Sequence, residues 1–236
     1  MASVAIIKAI MVLRGSMVVT LKGPCYCSGD SADSLVVMLH GRGASGDNMI
    51  AIAPYMSQKG LNNTQFVSPH APLRYGSIGY TWFTDSLRDM EERSACAEIM
   101  KSVEMVNRFI DVQLEALGIG DDKLSLVGFS QGAMLSIYVG LSREKKCSSV
   151  VAYSGAVPFP HALESMVRSR PDVCVIHGED DDVIPFYYFE ECVDFLQRNK
   201  VPVEAHSVKS LGHSIDDQGI ETGSLFIKNR IAGNAS

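Results

Sequence analysis

The chain has 236 residues, 46% of them hydrophobic and 20% charged, the proportions of a packed globular protein rather than of a disordered chain, a collagen-like repeat or a long coiled coil. Twenty-one Lys and Arg stand against 27 Asp and Glu, a formal net charge of −6. With no basic block, that balance argues against a nucleic-acid groove or an electrostatic grip on anionic lipid, and leaves a small molecule or another protein as partner.

At the N-terminus, residues 4–7 and 10–13 are apolar, but Lys8 splits the run and Arg14 closes it. It falls short of the roughly 20 apolar residues that span a bilayer, and no cleavage site follows a long enough apolar stretch. The first 16 residues therefore read as a loose extension, residues 17–232 as one α/β domain, and 233–236 as a tail. Met17 opens a strand-like Val18-Val19-Thr20-Leu21. Leu35-Val36-Val37-Met38-Leu39 has the unbroken apolar character of a central strand covered on both faces. A helix is expected over about 49–59, then a short strand at Phe66-Val67. Ile99, Val103, Val106, Ile110 and Leu117 share one face of a helix over about 96–117, which Gly118 can end in a left-handed conformation.

Further on, strands are expected at 124–127, 150–153 and 173–176, with an alternating strand at 203–208 near the sheet edge. Helices are expected at about 131–143, 186–198 and 218–231. This β-α alternation implies a mostly parallel sheet with helices on both faces, whose ligands bind at the carboxyl ends of the strands. No large helical insertion offers a lid. Residues 75–92 and 155–171 should flank the cleft. Of the six cysteines, Cys25 and Cys27 have no zinc-ligand partners at the right spacing, and Cys174 and Cys192 sit in apolar contexts. Reduced thiols in a cytoplasmic protein are expected, without metal or organic cofactor.

Gly128-Phe129-Ser130-Gln131-Gly132 lies where the 124–127 strand gives way to a helix. The pattern alone is weak, but a serine at such a turn is lifted above the sheet at a helix N-terminus, with glycines that let strand and helix approach. A serine hydroxyl needs a base within reach. Downstream, His206 falls inside the alternating strand, whereas His213 follows Leu211-Gly212 in a loop and can reach over the sheet top. His213 is favoured. The loop His177-Gly178-Glu179-Asp180-Asp181-Asp182 after the 173–176 strand supplies the acid, and position alone does not choose among Asp180, Asp181 and Asp182. Backbone donors for an oxyanion are expected at Gln131 and at Arg42, in the turn His40-Gly41-Arg42-Gly43 after the 35–39 strand. That turn lacks both the Lys-Ser/Thr ending of a P-loop and dinucleotide spacing.

Together these segments resemble the acyl-protein thioesterase/carboxylesterase (phospholipase/carboxylesterase) family of α/β-hydrolases. The matching pieces are Leu39-His40-Gly41-Arg42-Gly43, Pro69-His70-Ala71-Pro72, Thr81-Trp82-Phe83, Gly128-Phe129-Ser130-Gln131-Gly132-Ala133, the 177–185 loop and Gly212-His213-Ser214, in family order over about residues 35–227. The resemblance implies an α/β-hydrolase fold without a large lid domain and a Ser-His-Asp triad in which Asp181 is the acid beside Ser130 and His213. It also implies oxyanion donors on Arg42 and Gln131. Many eukaryotic thioesterases of the family carry an apolar residue where Arg42 stands, so the rim here becomes cationic. Asp182 replaces a common Pro, placing two carboxylates side by side. Trp82, Phe83 and Pro158 are expected to border the acyl site. The expected activity is a serine hydrolase acting on short- or medium-chain carboxylic esters. An acylated protein thioester or a lysophospholipid is the alternative substrate, and a non-catalytic binding protein the reading of a different class.

Overall fold

The computed structural model describes residues 5–7, 21–84 and 92–233. In chain order the strands are β1 (Ala5–Ile7), β2 (Gly23–Cys27), β3 (Ser34–Leu39), β4 (Thr64–Val67), β5 (Leu73–Tyr75), β6 (Gly79–Thr81), β7 (Leu124–Phe129), β8 (Ser149–Tyr153), β9 (Asp172–Gly178) and β10 (Val203–Val208). The helices are α1 (Gly46–Ile50), α2 (Ala53–Gln58), α3 (Glu92–Leu117), α4 (Gln131–Ser142), α5 (Pro160–Glu164), α6 (Tyr187–Arg198) and α7 (Asp217–Gly233). Eight strands form one sheet in the order β1-β2-β4-β3-β7-β8-β9-β10, and β5 and β6 form a separate hairpin. Pairing is parallel from β4 through β10 and antiparallel for β1/β2 and β2/β4.

The apolar runs become central strands because both their faces are covered. Along β3, Leu35, Val37 and Leu39 enter one core, while Val36 and Met38 enter the other. The same period of two divides Val173 and Val175 from Cys174 and Ile176 in β9. Helices α3, α4 and α6 cover the first face through residues such as Ile110, Leu135 and Phe195; α1, α2 and α7 cover the second through Met49, Met56 and Ile227. Every residue of α4 from Gln131 to Leu141 is buried, so the helix that follows Ser130 is packed on all sides. The fold is that of an α/β-hydrolase, with a mostly parallel sheet between two helical layers.

Three differences from the sequence reading have visible causes. The helix expected over 49–59 is two short helices, because Pro54, in the first turn of α2, has no N–H to continue a helical ladder from α1. Ala5–Ile7, assigned to the loose extension, pairs with β2 as an antiparallel edge strand; of the strand expected at Val18-Val19-Thr20-Leu21, only Leu21 lies among the described residues. Strand β2, Gly-Pro-Cys-Tyr-Cys, has the composition of a turn and is a strand through its pairing with β4. The β5–β6 hairpin and α5 lie inside the two segments expected to flank the cleft. Gly118 does follow α3 with φ 67°, and β10 is the sheet edge. Among the described residues no helix is long and apolar enough to cross a membrane. Burial pushes the thiols of Cys147, Cys174 and Cys192 up to about 12, so these three stay protonated.

One polar cluster ties α3 to the carboxyl end of α4. The Arg143 side chain is 9% exposed and donates to Asp121 from Nε at 2.8 Å, to Asn107 at 3.0 Å and to Asp111 at 2.8 Å. Asp121 is equally buried, whereas Asp111 is 64% exposed. Arg143→Met should therefore strand a buried carboxylate and lower the urea-unfolding free energy by about 3–5 kcal/mol. Asp111→Asn should change it by less than about 1 kcal/mol.

Candidate active site

Ser130 stands between β7 and α4 with φ 55° and ψ −119°, a region that non-glycine residues adopt only when their surroundings impose it. The imposition is visible. A Cβ on Gly128 would lie 2.2 Å from the Gly132 carbonyl oxygen, and one on Gly132 would lie 2.0 Å from the Leu39 carbonyl oxygen. Strand, turn and helix thus approach to distances only glycine allows. Ser130 N–H donates to the Tyr153 carbonyl at 2.9 Å, and its own carbonyl accepts from Ala133 and Met134 at the start of α4. Ser130 is 8% exposed.

The turn after β3 lies against this elbow: a Cβ on Gly41 would stand 3.3 Å from Ser130 Cβ. Arg42 is exposed, and its guanidinium lies over the Tyr75 ring at 4.9 Å. Gln131 is buried, and its side chain is fully engaged. Its Oε1 accepts from Trp82 N–H at 2.8 Å and the Thr81 hydroxyl at 3.0 Å, while its Nε2 donates to the Phe83 carbonyl at 2.8 Å. The Trp82 indole donates to the His40 carbonyl at 2.9 Å. Thr81-Trp82-Phe83 therefore joins the two loops that carry the expected oxyanion donors.

Trp82 and Phe83, expected at the acyl groove, are 1% and 2% exposed and lie in the main core. From there they brace the two loops through their bonds to Gln131 and His40. Pro158 is also buried, its carbonyl accepting from the Tyr138 hydroxyl.

Of the three adjacent carboxylates, Asp181 is buried while Asp180 and Asp182 are exposed. Asp181 Oδ2 lies 2.8 Å from His213 Nδ1, and Oδ1 accepts from the backbone N–H groups of Val183 and Ile184 at 3.0 and 2.8 Å. Burial alone would raise this carboxyl. The His213 ring and the Ile184 N–H outweigh it and hold Asp181 below the usual carboxylate range, hence ionised at neutral pH. The His213 ring packs on Phe129, the residue before Ser130, with centroids 4.8 Å apart. His206 is elsewhere, 43% exposed on β10 and 4.0 Å from Glu204.

Several contributors carry no mark in a sequence beyond two His-Gly pairs at strand ends. His40, 1% exposed, donates from Nδ1 to the Gly41 carbonyl at 2.7 Å and accepts the Ala71 N–H on Nε2 at 3.0 Å. The backbone of Pro69-His70-Ala71-Pro72 thus closes the ring's second bond. His177, before Gly178, is likewise buried. Among the described residues no group of three or more His, Cys, Asp and Glu could hold a metal ion.

The profile of the Phospholipase/Carboxylesterase family matches residues 25–231. The crystal structure of esterase PE8 is 32% identical, covers 89% of this chain and 99% of its own, and superposes with a TM-score of 0.84. Acyl-protein thioesterase 1 of Cryptococcus neoformans var. neoformans serotype D is 31% identical over 173 residues, 68% of this chain and 71% of its own. A probable carboxylesterase, SOBER1-like, of Arabidopsis thaliana is 26% identical over 215 residues, 87% of this chain and 82% of its own.

Burial lowers His40 from the ordinary 6.5 to about 4, against the smaller raising effect of its bond to Gly41, and burial lowers His177 as well. Both stay neutral in the fold while their unfolded counterparts take up protons. Stability is thus full above about pH 6.5 and falls as pH drops toward 4. His40 alone should account for about 1.4 kcal/mol per pH unit within that window. Urea unfolding from pH 7 to 4.5 should show the slope, and His206→Gln should leave it in place.

Proposed function

Because the chain belongs to the phospholipase/carboxylesterase family and is an ester hydrolase, we propose that it works through Ser130 as nucleophile, His213 as base and Asp181 as the acid that orients the base. The observation that carries this reading is the 2.8 Å contact between Asp181 Oδ2 and His213 Nδ1, with the His213 ring seated on the residue preceding the strained serine. With Nδ1 engaged by a carboxylate, the free nitrogen of His213 is Nε2, the one that can accept a proton from Ser130.

In acylation, Ser130 Oγ bonds to the substrate carbonyl carbon as its proton passes to His213. The developing oxyanion is met by the backbone N–H groups of Arg42 and Gln131. His213 then gives the proton to the leaving oxygen or sulfur as its bond to carbon breaks. A water repeats the sequence, releasing the acid and restoring Ser130. Asp181 stays ionised and stabilises the imidazolium at both stages. The bracing by Thr81-Trp82-Phe83 supports the reading, since oxyanion donors act only when their position is set before charge develops.

The favoured substrates are carboxylic esters with short or medium acyl chains. The relative named as a probable carboxylesterase supports a carboxylic ester, and the relative named as an acyl-protein thioesterase supports a protein thioester as the second reading. A lysophospholipid is the third. No nucleic acid and no cofactor enter the scheme, and the buried protonated thiols suit a cytoplasmic protein.

Ser130→Ala should lower kcat on an activated ester by about 10⁶ and abolish labelling by a fluorophosphonate. His213→Ala should be inactive, and His206→Ala should match wild type; inactivity of His206→Ala alone would reassign the base. Asp181→Asn should cost about 10⁴ in kcat, while Asp182→Asn should stay close to wild type. Rates on p-nitrophenyl esters of increasing chain length, beside an acyl thioester, rank the substrate classes.

A further inference from the structure

Asp181 has a second imidazole beside it. Nε2 of His177, a residue of β9, lies 2.8 Å from the Ile184 carbonyl oxygen and 3.4 Å from Asp181 Oδ2, and neither the His177 nor the Asp181 side chain has any exposed surface. Ile184 in turn gives its N–H to Asp181 Oδ1 at 2.8 Å. A closed circuit results: the His177 ring holds the Ile184 carbonyl, and the N–H of the same residue holds one carboxylate oxygen. The other oxygen faces both His177 Nε2 and His213 Nδ1.

The remaining nitrogen of His177, Nδ1, is buried and has no partner among the described residues. The aromatic rings of Phe186 and Phe189 pack edge-on against the imidazole, with centroids at 6.1 and 6.0 Å. The titratable groups facing it are Asp181 and His213. The Ile184 carbonyl bonded at Nε2, with a carboxylate oxygen nearby and no acceptor at Nδ1, assigns the proton to Nε2, in a neutral ring. A second proton would bury an imidazolium N–H with nothing among the described residues to receive it.

A buried nitrogen left without a partner is a cost that native structures rarely keep without a use. Replacing His177 by an apolar residue would remove that cost, but it would also remove the donor that faces Ile184 and Asp181. We propose that His177 is a positioning residue for the triad acid: it fixes the Asp181 carboxylate through the backbone of Ile184 and moderates the negative charge presented to His213. This rests on the assignment of Ser130, His213 and Asp181 given above. His177 touches neither substrate nor reacting atoms.

The test compares His177→Phe, which keeps a flat ring without a donor, with His177→Gln and His177→Asn. A Gln amide nitrogen can stand where Nε2 stands; the shorter Asn amide cannot reach it. Active sites are counted by fluorophosphonate labelling, and kcat, KM and the acid limb of kcat/KM are measured per labelled site on one activated ester. His177→Phe should lower kcat by about 10- to 100-fold with KM unchanged. It should also move the acid limb to higher pH, because the less shielded Asp181 favours the His213 imidazolium. His177→Gln should recover most of the lost kcat and return the limb toward wild type, and His177→Asn should behave like His177→Phe.

If His177→Phe does not fold, the Gln and Asn variants decide, and equal kcat and equal limbs in that pair overturn the inference. So does a His177→Phe enzyme whose kcat and acid limb per labelled site match wild type. Wild-type protein that neither labels nor hydrolyses the ester would instead overturn the triad reading itself, a separate failure.

Discussion

At Ser130 the backbone is held in a conformation that a serine would leave if it could. What prevents it is backbone approach that leaves no room for a Cβ: Gly132 against the Leu39 carbonyl and Gly128 against Gly132. Strand β7, helix α4 and the end of β3 therefore form one rigid corner. The remaining parts of the site take their positions from that corner. Gln131 is the next residue, Gly41 leans on the serine, and Phe129 offers its ring to His213. The strain is sustained because α4 is buried along nearly its whole length, so the helix cannot swing away without opening the core.

Around this corner, two neutral histidines serve as connectors on either side of the sheet centre. His40 joins its own turn to the loop carrying Ala71, and His177 joins the end of β9 to the loop carrying Asp181 and Ile184. An imidazole suits the task because it can bond two backbone groups, or one group and a carboxylate, while remaining uncharged in a dry environment. Their depressed affinity for protons follows from that burial. It links acid stability to the same loops that carry the proposed chemistry.

The rim is more open. Arg42 over Tyr75, Arg74 over Tyr80 and the exposed side chains of Leu73 and Ile78 belong to the turn after β3 and the β5–β6 hairpin packed on it. Gly43 N–H donates to the Tyr80 carbonyl, and Tyr80 N–H donates to the Ala44 carbonyl, which pins the hairpin to the turn. The cationic character seen at Arg42 in the sequence is thus part of a cation–aromatic border. The aromatic pair Trp82-Phe83 works beneath it, as internal support.

Sequence periodicity was enough for the central strands, the two helical layers and the end of α3 at Gly118, since burial on both faces of a strand leaves an unbroken apolar run and an amphipathic helix leaves a 3.6-residue one. It was also enough to place a serine at a strand-to-helix turn and a histidine in a late loop. It was not enough for β2 or for the split of α1 from α2, where pairing and a proline override the local pattern. Nor could spacing separate Asp181 from Asp180 and Asp182. Those three are chemically equal neighbours in the chain, and only the path of the loop after β9 turns one inward to His213 and leaves the others in water. The roles of Thr81, His40 and His177 were hidden for the same reason. Each depends on which distant backbone group stands opposite the side chain, and that is decided when the sheet assembles.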